Sequence, residues 1–177
     1  MRVILAAVVM LASSVGLAVE RDADGYFHTG DGIRTKKVVG FNVKVYAIDH
    51  AMKALPAEKS KQGVIAAEVD KKLAWKMLRT VEAEKIRKAL RDAYALNGFA
   101  DAAKIEKLVG ALDGDLKEGT WVTIMYDAAS KKTTLYAPSG AHAQVAGADF
   151  MRATWSIWFG NIDQPSLSDS LVSKLKD

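Results

Sequence analysis

The sequence predicts an α+β domain in which helices gather on one face of a largely antiparallel sheet. Runs with strand chemistry and runs with helical periodicity occupy separate stretches of the chain. A short polar turn at 127–130 joins two strand-like runs as a hairpin. No repeat, low-complexity tract or linker divides the 177 residues, which suits one domain of ordinary size.

Taken in order, the first segment reads as an address. Met1 and Arg2 form a small positive region, 3–11 is an apolar run too short to span a bilayer, and small residues lead to a cleavage site after Ala18. Residues 1–18 are therefore expected to be a signal peptide and 19–177 a single exported domain, periplasmic in a Gram-negative bacterium and secreted otherwise. No integral membrane span is expected in the mature chain. The run KKVVGFNVKVYAI at 36–48 is rich in Val and aromatic residues and reads as one long or bent strand, with Gly40 as a bulge or close-approach point. Residues 51–60 read as a short helix or loop around Pro56, followed by an apolar run at 64–69. From 71 to 80 the pattern alternates, placing Leu73, Trp75, Met77 and Arg79 on one face. Arg79 is expected to pair with one of the glutamates that follow.

The period changes at Val81. Ile86, Ala89, Leu90, Ala93 and Tyr94 recur at helical spacing with charged residues between them, and Asn97-Gly98 supplies a stop. A second helix is expected over 102–112, with Ile105, Leu108, Val109 and Leu112 on its buried stripe. Strands follow at 121–126 and 132–136. The last third returns to helix at 149–159, and from Ser166 or Ser168 to Lys176. Phe150, Trp155, Trp158 and Phe159 are expected to cover the sheet.

Composition removes several classes of function. With no Cys there is no disulfide framework, thiolate metal site or Cys nucleophile. The 25 basic and 21 acidic side chains are interleaved, and a net charge of +4 argues against a dedicated nucleic-acid binder. His28, His50 and His142 lie far apart without ligand spacing, so no metal is expected, and no cofactor motif is present. Asp22, Asp24 and Gly25 open like a calcium loop but lack its later ligands and read as a solvated turn.

The segment GDGIRTKKVVGFNVKVYAI places a Gly-x-Gly turn before Arg34, with Tyr46 twelve residues later. Together with 71–80, the helix at 83–94, GADFMRATWSIWFGN and the closing PSLSDSLVSKL, it resembles the chalcone isomerase-like family over most of the mature chain. The resemblance implies an open-faced β-sandwich, a large antiparallel sheet covered by helices, with an apolar ligand cleft between the layers. It also implies that Arg34 and Tyr46 face that cleft. A guanidinium fork and a phenol together would clamp a carboxylate or phenolate at the end of an apolar slot. From spacing alone, Arg34 reads as an ordinary loop arginine beside Lys36 and Lys37, and Tyr46 as an ordinary half-buried strand tyrosine.

The catalytic members of that family carry a Tyr and an Asn on the first long helix, a Thr or Ser on the last, and a Thr at the strand position of Tyr46. The aligned positions here are Glu82, Ala89 and Ile157. No catalytic residue is assigned. The expected function is a carrier or sensor, non-catalytic, for a fatty acid or similar amphiphilic anion. The alternatives are an intramolecular lyase of the chalcone-flavanone isomerase type using Arg34, and an interaction module whose cleft is filled by its own Trp and Met side chains.

Overall fold

The computed structural model describes residues 21–175, so the expected signal peptide at 1–18 and Lys176 lie outside the described residues. Strands β1 (Phe27–Val38), β2 (Phe41–Met52), β3 (Lys71–Met77), β4 (Trp121–Asp127), β5 (Lys132–Tyr136) and β6 (His142–Ala146) form one sheet in chain order. Every neighbouring pair is antiparallel.

The single strand expected over 36–48 is two strands. Val39 (φ 44°) and Gly40 (φ 84°) both adopt left-handed backbone between Val38 and Phe41, which pair directly. That is the two-residue turn whose twist suits a hairpin. Gly40 thus closes the turn. The Gly-x-Gly turn expected before Arg34 is likewise absent, because Gly30 and Gly32 lie inside β1. A Cβ on Gly30 would stand 2.1 Å from the Ser170 carbonyl oxygen, and one on Gly32 would stand 2.6 Å from Leu167 Cδ1. These glycines let a terminal helix lie directly on the edge strand.

That helix is α5 (Pro165–Leu171), followed by a 3-10 turn (Ser173–Leu175). The others are α1 (Lys61–Ala66), α2 (Ala83–Leu96), α3 (Ala102–Val109) and α4 (Ala148–Phe159). Helix α1 occupies much of the apolar run at 64–69, and Ser60 caps it by accepting from Gly63 N at 3.0 Å. Helix α4 is buried nearly all round, including Phe150, Trp155, Ile157, Trp158 and Phe159, as the central layer must be. One sheet face meets it through Ile48, Leu73, Trp75, Met77, Val122, Ile124 and Leu135; the alternation expected over 71–80 holds to Met77, where β3 ends before Arg79. In the N-terminal turn Asp22 Oδ1 accepts from Asp24 N at 3.0 Å and Tyr26 N at 2.8 Å.

Two buried polar groups stitch the layers. Trp155 Nε1 can only donate, and it lies 2.9 Å from His50 Nε2, so the ring proton sits on Nδ1 and is given to Thr29 Oγ1 at 2.6 Å. Thr29 then donates to the Leu171 carbonyl at 2.9 Å, linking β1, β2, α4 and α5. Lys71 Nζ donates to the Val64 carbonyl at 2.7 Å, capping the open end of α1, and stands 4.8 Å from the Trp155 ring centre. Desolvation pushes the Lys71 ammonium down to about 7.

Burial, reinforced by Lys71 and His28, drives the His50 pKa well below its ordinary value. The folded protein therefore holds His50 neutral while the unfolded chain protonates it. Stability from this source is complete above about pH 6.5 and falls by about 1.4 kcal/mol per pH unit below it, until the folded pKa is reached. Denaturant titrations at pH 7.5, 6 and 5 are expected to show this decline, and a His50→Gln variant is expected to flatten it.

Candidate functional site

Arg34 and Tyr46 are direct cross-strand partners, so both side chains leave the same face of the β1–β2 ribbon. Immediately after this pair the register slips, because Thr35 pairs with Lys44 and Val45 is the extra residue. Such a bulge re-aims neighbouring side chains, and here Val45 joins Arg34 and Tyr46 in the wall of a cleft of about 780 Å³. That is ample for a small-molecule site, which typically occupies roughly 300–1,000 Å³.

The opposite wall is α2, through Ile86, Ala89, Leu90, Ala93 and Leu96. The stripe that reads as core on this helix is therefore divided. Tyr94 is fully buried and hydrogen-bonded to Thr154 at 2.8 Å, whereas its aliphatic neighbours border open space. Helix α2 is held away from the hairpin at both ends. Asp115 accepts from Ala83 N at 3.1 Å at its start. At its finish Asn97 donates to the Asn161 carbonyl at 3.1 Å and accepts from Asn161 N at 2.8 Å.

The floor is aromatic. Trp75 lies between Tyr46 and Trp158, with ring centres 5.6 and 5.5 Å away, and Trp158 Nε1 donates to the Tyr46 hydroxyl at 3.2 Å. That bond occupies a Tyr46 lone pair and leaves its own O–H free to donate. Burial raises the Tyr46 pKa against the opposing effects of Trp158 and Arg34, so the phenol stays protonated at neutral pH. Trp75 Nε1 is buried without a hydrogen-bond partner.

Arg34 meets a counter-ion that sequence reasoning misses. Its Nη1 lies 2.6 Å from Asp163 Oδ1, yet this buried nitrogen makes no aligned hydrogen bond. The contact is an ion pair with donor capacity to spare. The Arg34 guanidinium beside it holds the Asp163 carboxyl below its usual range. Gln164 anchors the loop that carries Asp163 by accepting from Thr35 N and donating to the Ile33 carbonyl, each at 2.9 Å, so it substitutes for a neighbouring strand at the edge of β1.

The other sequence candidates fall as follows. Ile157 lines the cleft, as do Glu82 and Ala89. Trp158 serves both core and cleft. Arg79 is exposed at the cleft mouth and pairs with no glutamate among the described residues, which corrects the expected ion pair. The described residues include no cluster of His, Cys, Asp or Glu suited to a metal ion.

This arrangement of a six-stranded meander, a central helix and a cleft opening beside an Arg–Tyr pair accompanies a sequence match to the chalcone isomerase-like family over residues 21–171. The chain belongs to the chalcone isomerase-like family. Among solved structures it is similar to a fatty-acid binding protein of Arabidopsis thaliana, with TM-score 0.70 and 14% sequence identity, covering 88% of this chain and 90% of that one. No curated protein matches it. Family membership and the open-faced α+β architecture therefore agree, and within that fold Arg34 and Tyr46 converge on one cleft.

Proposed function

We propose that this protein is an exported, non-catalytic binder of a fatty acid or similar amphiphilic anion. One observation carries the reading: the Arg34 guanidinium and the Tyr46 phenol stand side by side at an otherwise largely aliphatic and aromatic cleft. A carboxylate gains charge-assisted bonds from the guanidinium and a third donor from the phenol. The tail lies along Val45, Ile86, Ala89, Leu90 and Ile157, where burial of apolar surface drives association. The likeness to a protein described as fatty-acid binding supports the ligand class. Carriage is favoured over isomerisation by Ala89 and Ile157, which are aliphatic and line the cleft where the catalytic relatives carry polar side chains. The character of residues 1–18 supports the export part of this reading.

In this reading Asp163 is an internal competitor for the head group, because an incoming carboxylate meets both its cation and its like charge. Asp163→Asn is expected to tighten binding of a long-chain acid about tenfold, the ratio produced by roughly 1.4 kcal/mol. Weakened affinity by calorimetry would show instead that Asp163 acts by orienting Arg34, and unchanged affinity would remove it from the head-group site.

Native mass spectrometry of protein purified from its own cells, with organic extraction, tests the function. A co-purifying acid lost in Arg34→Ala and Tyr46→Phe is the expected result. Chalcone cyclisation well above the uncatalysed rate, abolished in Arg34→Ala, would replace carriage by an isomerase.

A further inference from the structure

The β1–β2 hairpin carries a feature that head-group binding leaves unexplained. Val39 is 91%, Phe41 76% and Val38 50% exposed at its tip. Val39 is unfavourable twice over, because it is β-branched in left-handed backbone where Asn or Gly is the usual choice, and it is apolar in water. Strain and exposed apolar surface at one turn point to a contact made there.

The surroundings identify the partner. Between Asp31 and Asp49 the sequence has no acidic residue and includes Arg34, Lys36, Lys37 and Lys44. Lys37 and Lys44 are exposed and form no ion pair among the described residues, whereas Lys36 stands 3.8 Å from Asp163. The register places Lys37 and Lys44 on one face of the ribbon, while Val38, Phe41 and Val43 share the cleft-side face. The β2–β3 ladder begins only at Tyr46, so the tip projects roughly 15 Å beyond β3. Trp121 at the start of β4 and Tyr136 at the end of β5 are exposed at the same end of the sheet. An apolar point with flanking lysines matches the boundary between acyl chains and anionic head groups.

We propose that the hairpin tip, Val38 to Phe41, inserts into the surface of an anionic lipid membrane, held there by Lys37 and Lys44. Val38 and Val43 also line the cleft, so insertion sets the cleft mouth against the acyl layer. The docking itself is independent of the cleft's cargo; only its use as a loading position rests on the carrier reading.

The absence of Cys permits a local test. The intact chain with Val39→Cys carries an environment-sensitive fluorophore, and a second protein carries it at Ala129→Cys in the β4–β5 turn, at the far end of the sheet. With vesicles of mixed phosphatidylcholine and phosphatidylglycerol, emission at position 39 is expected to rise several-fold and shift to the blue, with little change at 129. Adding Lys37→Glu and Lys44→Glu is expected to weaken vesicle binding more than tenfold, since each basic residue near an anionic surface contributes about fivefold. No response at 39, equal responses at both positions, or equal response to phosphatidylcholine alone would overturn the proposal. So would a change at 39 that follows protein concentration without vesicles, which would assign the tip to a second copy of the chain. If position 39 responds while Arg34→Ala carries the same acid as the parent, the cleft reading fails and the membrane contact stands.

Discussion

Replacing Arg34 with Ala is expected to weaken binding of a long-chain fatty acid by about a hundredfold, because hydrogen bonds to charged groups contribute about 1.5–3 kcal/mol and each 1.4 kcal/mol is tenfold. The fold is expected to survive. Arg34 pairs with a largely solvent-exposed Asp163, and such pairs contribute at most about 1 kcal/mol to stability. The β1–β2 ladder and Gln164 hold the local backbone without it. Tyr46→Phe should cost less, about fivefold to tenfold, since it removes one neutral hydrogen bond of roughly 1 kcal/mol and also unpairs Trp158 Nε1. Calorimetric titration with circular dichroism separates lost binding from lost structure. Equal affinity in Arg34→Ala and the parent would remove Arg34 from the head-group site.

Gly30→Ala should have the largest effect on stability. The new methyl would lie 2.1 Å from a backbone oxygen of α5 and 2.7 Å from the Leu171 carbonyl carbon, and backbone cannot rotate aside as a flexible side chain can. Helix α5 must lift from β1, which strains the Thr29 bond to the Leu171 carbonyl and with it the His50–Trp155 chain. A loss of about 3 kcal/mol is expected, at the upper end for overpacking. For a domain of this size it corresponds to roughly 6–12 °C in Tm. Gly114→Ala is the matched control, because a Cβ there meets nothing within 4 Å, and it should leave Tm nearly unchanged. Similar Tm values for the two variants would show that Gly30 is not the contact that seats α5.

The sequence made some of this legible and concealed the rest for identifiable reasons. Helices α2 and α3 and strands β3 and β4 announce themselves by period, because each has one face against the core, whereas α4 shows as an aromatic, apolar stretch buried nearly all round. The β1–β2 hairpin hides in a continuous run of β-formers, since Val39 takes a turn position that Asn or Gly would have marked. Strand β6, with the sequence HAQVA, buries only Val145 and shows too little alternation to stand out. Gly30 and Gly32 read as flexibility because the helix they accommodate arrives more than 130 residues later.

The site follows the same division. Arg34 and Tyr46 are legible only through family resemblance, and their pairing rests on a register that only the hairpin defines. Asp163 and Gln164 are not legible in the sequence, because a counter-ion and an edge cap supplied from a distant loop leave no local pattern. The α2 stripe could not reveal the cleft, because Ile86, Ala89 and Leu90 have the same spacing whether they meet a sheet or line open space.

The central claim is that the cleft reads an anionic head group attached to an apolar tail. Its most direct measurement is calorimetric titration of the parent protein with a long-chain fatty acid and, separately, with the alcohol of the same chain length. The account predicts one acid bound per chain, with the alcohol at least tenfold weaker, the difference vanishing in Arg34→Ala. Equal affinity for acid and alcohol in the parent, or binding of neither, would contradict it.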